Sequence, residues 1–242
     1  MFNVLSIGKS GLKANQYKMD GIADELANVT TDGYKKRTIS FQELMLDQDV
    51  NVGTKSGISK TDFSPGVLTQ SEGTFDMAID GEGFFGVKDS NGNLMLTRNG
   101  AFYADAENNI RNQSGDILQI EYFTSINEWE GRDVTISENG SIKGGADNET
   151  LGRVMLYMPE NLANLTAIGE GRFTLSPDEN LIEQTENPAL FGKIRQNFIE
   201  GSNADMTRAM TEMIITQRAY SLNASTIQST DELMQLINDI KR

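Results

Sequence analysis

The chain has 242 residues, 38% of them apolar, carries a net charge of −14 and contains neither cysteine nor histidine. That length and composition suffice for one large or two modest domains with a buried core. They exclude thiol nucleophiles, disulfides, Cys/His zinc sites and every histidine-based acid, base or metal ligand. Residues 1–36 carry a net +1 and residues 198–242 a net −2, leaving −13 in the middle, which argues against a nucleic-acid groove.

The first predicted element is a helix over residues 3–29. Leu5, Leu12, Met19 and Leu26 recur every seven residues, reinforced by Ile22 and Val29. This spacing keeps one seam of a helix against a partner helix. Gly8, Gly11 and Gly21 each cost about 0.5–1 kcal/mol relative to alanine, so the helix needs a partner to form. Ser6, Gly8, Lys9 and Ser10 interrupt any apolar h-region, so this start does not read as a secretory signal. No stretch approaches the roughly 18 apolar residues of a membrane span. Thr30-Thr31-Asp32-Gly33 supplies the turn that ends the helix.

Residues 34–74 read as an extended connector with short strands, punctuated by Asn51, Gly53, Ser56, Gly57 and Ser64-Pro65-Gly66. Phe41, Leu44 and Met45 fit one helical turn or a short strand. From 75 to 200 the pattern is antiparallel β, with no regular βαβ alternation. Phe75, Met77 and Ile79 alternate in the strand period. Asp89-Ser90-Asn91-Gly92 and Asn139-Gly140 mark hairpins, with further turns at Asn99-Gly100 and Ser114-Gly115. After Gly201, the last glycine, Ser202-Asn203-Ala204-Asp205 reads as an S-x-x-D capping box opening a helix that runs from about 203 to 240. Met206, Met213, Tyr220, Ile227 and Met234 again recur every seven residues.

Candidate chemistry is sparse. Gly81, Gly83 and Gly86 satisfy G-x-G-x-x-G, but a dinucleotide site needs a helix N-terminus next, and Phe84-Phe85-Gly86-Val87 continues as strand. Asp89, Asn91 and Asn93 resemble the start of a calcium loop that lacks its sixth-position Gly and twelfth-position Glu. Asp76, Asp80 and Glu82 form an acidic cluster that reads as a solvated turn, with a carboxylate pair for glycan hydrolysis as the rival reading. No metal or cofactor is expected. The methionine stripe reads as a packing seam, and Gln217, Arg218, Asn223 and Asp231 as the polar residues that would fix its register if buried.

Several stretches together resemble one family, the bacterial flagellar rod and hook axial proteins. Leu26-Ala27-Asn28-Val29-Thr30-Thr31-Asp32-Gly33-Tyr34-Lys35 resembles the family's L-A-N-x-x-T-x-G-[FY]-K. Asp76 to Phe85 is similar to its D-x-A-I-x-G-x-G-F-F, and Thr97-Arg98-Asn99-Gly100-Ala101-Phe102 to its T-R-x-G-x-F. Glu200-Gly201-Ser202-Asn203 resembles E-x-S-N, and Met213 to Asn223 resembles M-I-x-x-Q-R-A-[YF]-x-x-N. Two departures stand out. Asp24-Glu25 occupies the place of the usual Asn-Asn, and the connector is shorter than in typical distal rod proteins.

The resemblance implies an α+β fold with the N- and C-terminal helices packed as a coiled coil and a mostly antiparallel β-domain between them. The corresponding domains are 1–33 (N-terminal helix), 34–74 (connector), 75–200 (β-rich outer domain) and 201–242 (C-terminal helix). It implies a non-enzymatic subunit of the basal-body rod that self-assembles into a helical tube and transmits motor torque. The distal type is preferred, with a proximal rod subunit as the alternative. The implied partners are other copies of the chain, neighbouring rod and hook proteins, basal-body rings and the flagellar export apparatus. No nucleic acid and no membrane insertion are implied. The implied location is the basal body in the cell envelope, reached by type III export with an uncleaved N-terminus. The expected assembly interface comprises Leu5, Leu12, Met19, Leu26, Asn28, Ser202, Asn203, Met206, Met213, Gln217, Arg218, Tyr220, Asn223, Ile227 and Met234.

Overall fold

The computed structural model describes residues 2–46, 50–107, 109–124, 134–144, 149–176 and 180–240. Two long helices, α1 (Phe2–Ala27) and α2 (Met206–Ile240), bracket a β-rich middle. Its strands pair antiparallel throughout. The fold is therefore α+β, as the pattern predicts. The chain divides into two compact units. The first comprises residues 1–29, 36–62 and 204–242, and the second residues 30–35 and 63–203.

In the first unit, three glycines sit where neighbours come closest. A Cβ on Gly8 would lie 2.9 Å from Ile227, one on Gly11 3.0 Å from Asn223, and one on Gly21 2.6 Å from Ile39. The residues that weaken α1 by propensity are thus the ones that let other elements approach it. The helix ends at Asn28, whose Nδ2 donates to the Asp24 carbonyl at 2.9 Å and to the Asp24 carboxylate at 3.2 Å.

The same unit holds a hairpin longer than the short strands expected. Residues 34–74, expected as an extended connector with short strands, take the strand alternative at Phe41, Leu44 and Met45. They contain a long hairpin of β1 (Arg37–Leu46) and β2 (Val50–Thr61), paired from Arg37↔Thr61 to Leu46↔Val50. Register shifts between Ile39/Phe41 and Leu44/Met45 are bulges, which disturb the period-two pattern a strand otherwise shows. Gly53, Ser56 and Gly57 read as breakers yet lie inside β2. Asp47, Gln48, Asp49 and Pro177 lie outside the described residues.

The second unit is built on one large sheet. Its order runs from strand 166–169 through 172–174, 94–97, 84–88, 117–118 and 110–112 to 102–104. A four-stranded sheet comprises 120–122, 149–154, 141–144 and 134–136. Phe84 and Phe85 explain how the layers are filled. Successive strand residues point to opposite faces, so Phe85 enters the core of Met77, Ile79, Val87 and Leu156 while Phe84 enters a second core with Leu96, Tyr157 and Phe173. The predicted hairpin turns form at Gly92 (φ +85°) and Gly140 (φ +82°). Gly81 and Gly83, with φ of +131° and +118°, turn against the backbone of Gly192 and the ring of Phe191, and strand 84–88 follows. The G-x-G-x-x-G stretch is a closely packed bend that leads into a strand, with no helix N-terminus to cradle a phosphate.

Candidate assembly site

α1 and α2 pack side by side. Gly8 meets Ile227 and Gly11 meets Asn223, while Glu25 faces Asp205, Arg208 and Glu212. Numbers rise along one helix as they fall along the other, so the pair is antiparallel. Leu5, Leu12, Met19, Leu26, Met213, Asn223, Ile227 and Met234 are half-buried, whereas Met206 and Tyr220 are 45% and 36% exposed. Gln217 and Arg218 are exposed on α2.

The fully buried positions on these helices are smaller than the stripes suggested. They include Ala14 and Ile22 on α1 and Ala209 and Thr216 on α2. Ala209, Thr216 and Asn223 form a second line at seven-residue steps, beside the large residues of the first. Sequence reading missed this small edge of the seam because it scored apolar bulk. The signal was available: small residues at the same seven-residue step, in a chain whose other helix carries glycines. Thr216 tolerates burial because its hydroxyl donates to the Glu212 carbonyl at 2.7 Å.

The capping box forms differently from the expectation. Asp205, not Ser202, caps α2, its Oδ1 accepting from Thr207 N at 2.9 Å and Arg208 N at 3.1 Å. The chain cannot coil earlier because Phe198–Glu200 is a strand, Gly201 N donates to Val67 O at 2.9 Å and Asn203 N to Tyr34 O at 3.3 Å. Glu25 accepts from the Asp205 N–H. Burial holds its carboxyl above the usual glutamate value, opposed by Lys36 and reinforced by Glu212.

Three charged residues from three of the sequence stretches meet in the interior of the second unit. Glu200 accepts from Lys35 Nζ at 2.5 Å and, on its other oxygen, from Arg98 Nη1 at 3.4 Å. All three side chains are buried, at 0–1% exposure. Glu200 also accepts from Gly66 N at 2.8 Å, and Lys35 donates to the Ser64 carbonyl at 2.7 Å. The Arg98 guanidinium lies over the Phe84 ring, 5.1 Å from its centroid. Burial pulls Arg98 below its ordinary pKa, and the charges of Glu200 and Glu82 oppose that pull. Gly33 N donates to the Glu200 carbonyl at 2.7 Å, and Asn203 Nδ2 to the Ser64 carbonyl at 3.1 Å. Ser202 lies half-buried between those anchors. This network ties together every stretch by which the chain enters or leaves the unit: 30–35, 63–66 and 200–203.

The three residues of the acidic cluster have different surroundings. Asp76 is buried and takes a hydrogen bond from Ser71, Asp80 pairs with Arg195 at 2.6 Å, and Glu82 stands exposed beside the turn. Asp89 is an Asx turn, its Oδ1 accepting from Asn91 N and Asn93 N at 2.8 and 2.9 Å. Among the described residues, no group of carboxylates is arranged to hold a metal ion, and no helix is long and apolar enough to cross a membrane.

Residues 195–240 match the family profile described as flagellar basal body rod FlgEFG protein C-terminal, and residues 78–144 that of the flagellar hook protein FlgE/F/G D1 domain. The chain is 30% identical to the flagellar basal-body rod protein FlgG of Buchnera aphidicola, over 99% of this chain and 100% of that one. It is 30% identical to the FlgG of Borreliella burgdorferi, over 100% of both. It is 27% identical to the flagellar basal-body rod protein FlgF of Caulobacter vibrioides, over 96% and 95%.

Proposed function

Since the chain belongs to the flagellar basal-body rod proteins, we propose that it is a structural subunit of the rod, of the distal type, with no catalytic role. The observation that carries this reading is the match to FlgG along the whole chain, helices included. Copies assemble through the terminal helices, packed as a coiled coil, into a tube that transmits motor torque. Neighbouring rod and hook proteins continue that tube, and basal-body rings surround it. Residues 75–200 form the outer domain, and the helix residues named from the sequence contribute to the interface.

A tube suits the physics of the surface. Repeated heterologous contacts grow an open helix when the rotation does not close. Each large apolar side chain buried in such a contact contributes about 1.5–3 kcal/mol. The FlgF match favours a second reading, a proximal rod subunit.

In-frame deletion of the gene, with electron microscopy of isolated basal bodies, tests both readings. A distal subunit leaves non-motile cells whose rods stop after the proximal segment. Rods that fail earlier favour the proximal reading, and a motile deletion strain overturns both. Mass spectrometry of the assembled subunit tests export with an uncleaved N-terminus, which retains the residues at its start.

A further inference from the structure

The chain passes between its two units at four points, after residues 29, 35, 62 and 203. Three short arms of the β-rich unit adjoin those points: 30–35, 63–66 and 200–203. Each arm is bonded to both of the others. Gly33 N donates to the Glu200 carbonyl and Asn203 N to the Tyr34 carbonyl, joining the first arm to the third. Lys35 Nζ donates to the Ser64 carbonyl, joining the first to the second. Gly66 N donates to Glu200 Oε1 and Asn203 Nδ2 to the Ser64 carbonyl, joining the second to the third. The backbones there are closer still: a Cβ on Gly66 would lie 2.0 Å from the Gly201 carbonyl oxygen. These bonds close a triangle, so no arm moves without breaking its connections to the other two. Arg98, which follows strand 94–97, ties the triangle to the large sheet through Glu200 and the Phe84 ring.

Stability alone does not call for charges at this place. Apolar residues of similar volume often hold a buried site as well as an ionic group does, or better. Apolar contact has no direction, however, and lets surfaces slide. Charge-assisted hydrogen bonds fix both distance and angle. Two cations and one carboxylate therefore supply definition of position. They do so where the chain most needs it. Every crossing is a single length of backbone, and its soft φ and ψ angles resist neither bending nor twist.

We propose that this triangle is a mechanical clamp. Force arriving along one crossing is shared among all three arms and passed to the sheet through Arg98. Lys35, Arg98 and Glu200 act as positioning residues, and torque transmission depends on the direction of their bonds, not on the stability they add. The inference rests on the rod reading above and assigns the place where the β-rich unit takes up force.

The first test uses the purified full chain and is independent of motility. Each arm carries one reporter amide: Gly33, Gly66 and Asn203. Arms that open only together give these amides one protection factor and one denaturant dependence in native-state hydrogen exchange. Absent protection, or factors more than about tenfold apart, means that the arms open singly and overturns the clamp. The second test returns the triple variant Lys35→Met, Arg98→Met, Glu200→Met to the deletion strain. It is expected to build rods of native length and to lose swimming as the viscosity of the medium rises, where the native chain still swims. Core variants of the Val87→Ala type, cut away from the arms and chosen to melt at or below the triple variant, control for stability. They are expected to swim at viscosities that stop the triple variant. Equal swimming by the triple variant and these controls overturns the clamp and leaves the rod reading intact. Swimming by the deletion strain itself overturns the rod reading.

Discussion

Removing the charge of Glu200 would strand two cations, Lys35 and Arg98, in an interior that excludes water. Breaking a buried ionic group by deleting one partner costs about 3–5 kcal/mol. Glu200→Gln is therefore expected to lower the stability of the β-rich unit by that amount in urea titrations. Replacing all three residues with apolar side chains of similar volume should recover much of the loss. Glu25 makes the helical unit sensitive to pH. Burial raises its carboxyl above the unfolded value, so the folded state holds the proton more tightly. The helical unit is thus expected to lose stability as pH rises through the interval just above the usual glutamate value of about 4.3. Glu25→Gln should flatten that slope, measured as helical melting temperature against pH. Lys35, Arg98 and Glu200 each stood in a recognisable sequence stretch. Their meeting was not legible, because separations of 165 and 102 residues leave no periodic trace.

At the scale of elements, what could be read depended on whether burial had a period. The helices announced themselves because a large residue returned every seven positions. The antiparallel hairpins of the β-rich unit did so through Asn-Gly and Asp-Ser-Asn-Gly turns, which need positive φ at Gly92 and Gly140. The hairpin of β1 and β2 did not. Its bulges break the alternation, and Lys55, Ser56, Ser59 and Lys60 give β2 the composition of a linker. The small edge of the helix seam was hidden for a related reason, since alanine, threonine and glycine contribute closeness instead of bulk. Gly21→Val tests that closeness. The new Cβ would lie 2.6 Å from the terminal methyl of Ile39, which has to move, and overpacking of this kind costs about 1–3 kcal/mol. Faster amide exchange along α1, with the β-rich unit unchanged, is the expected result.

For the whole molecule, two units share one chain that passes between them four times. Truncation of residues 206–242 is expected to abolish assembly and swimming while the β-rich core survives. Tertiary melting and protected amides in strands 84–88 and 94–97 would report that survival, and their loss would show that the β-rich unit depends on α2. The network around Glu200 also sets a schedule. A chain made from its N-terminus releases Lys35 early and Arg98 midway, but the carboxylate that neutralises them only after five-sixths of the 242 residues exist. Until then the two cations have no reason to enter the interior, and loop closure across 165 residues still has to be met. Completion of the β-rich unit is therefore timed to the end of synthesis, and a chain interrupted before residue 200 stays unfinished and open to proteolysis.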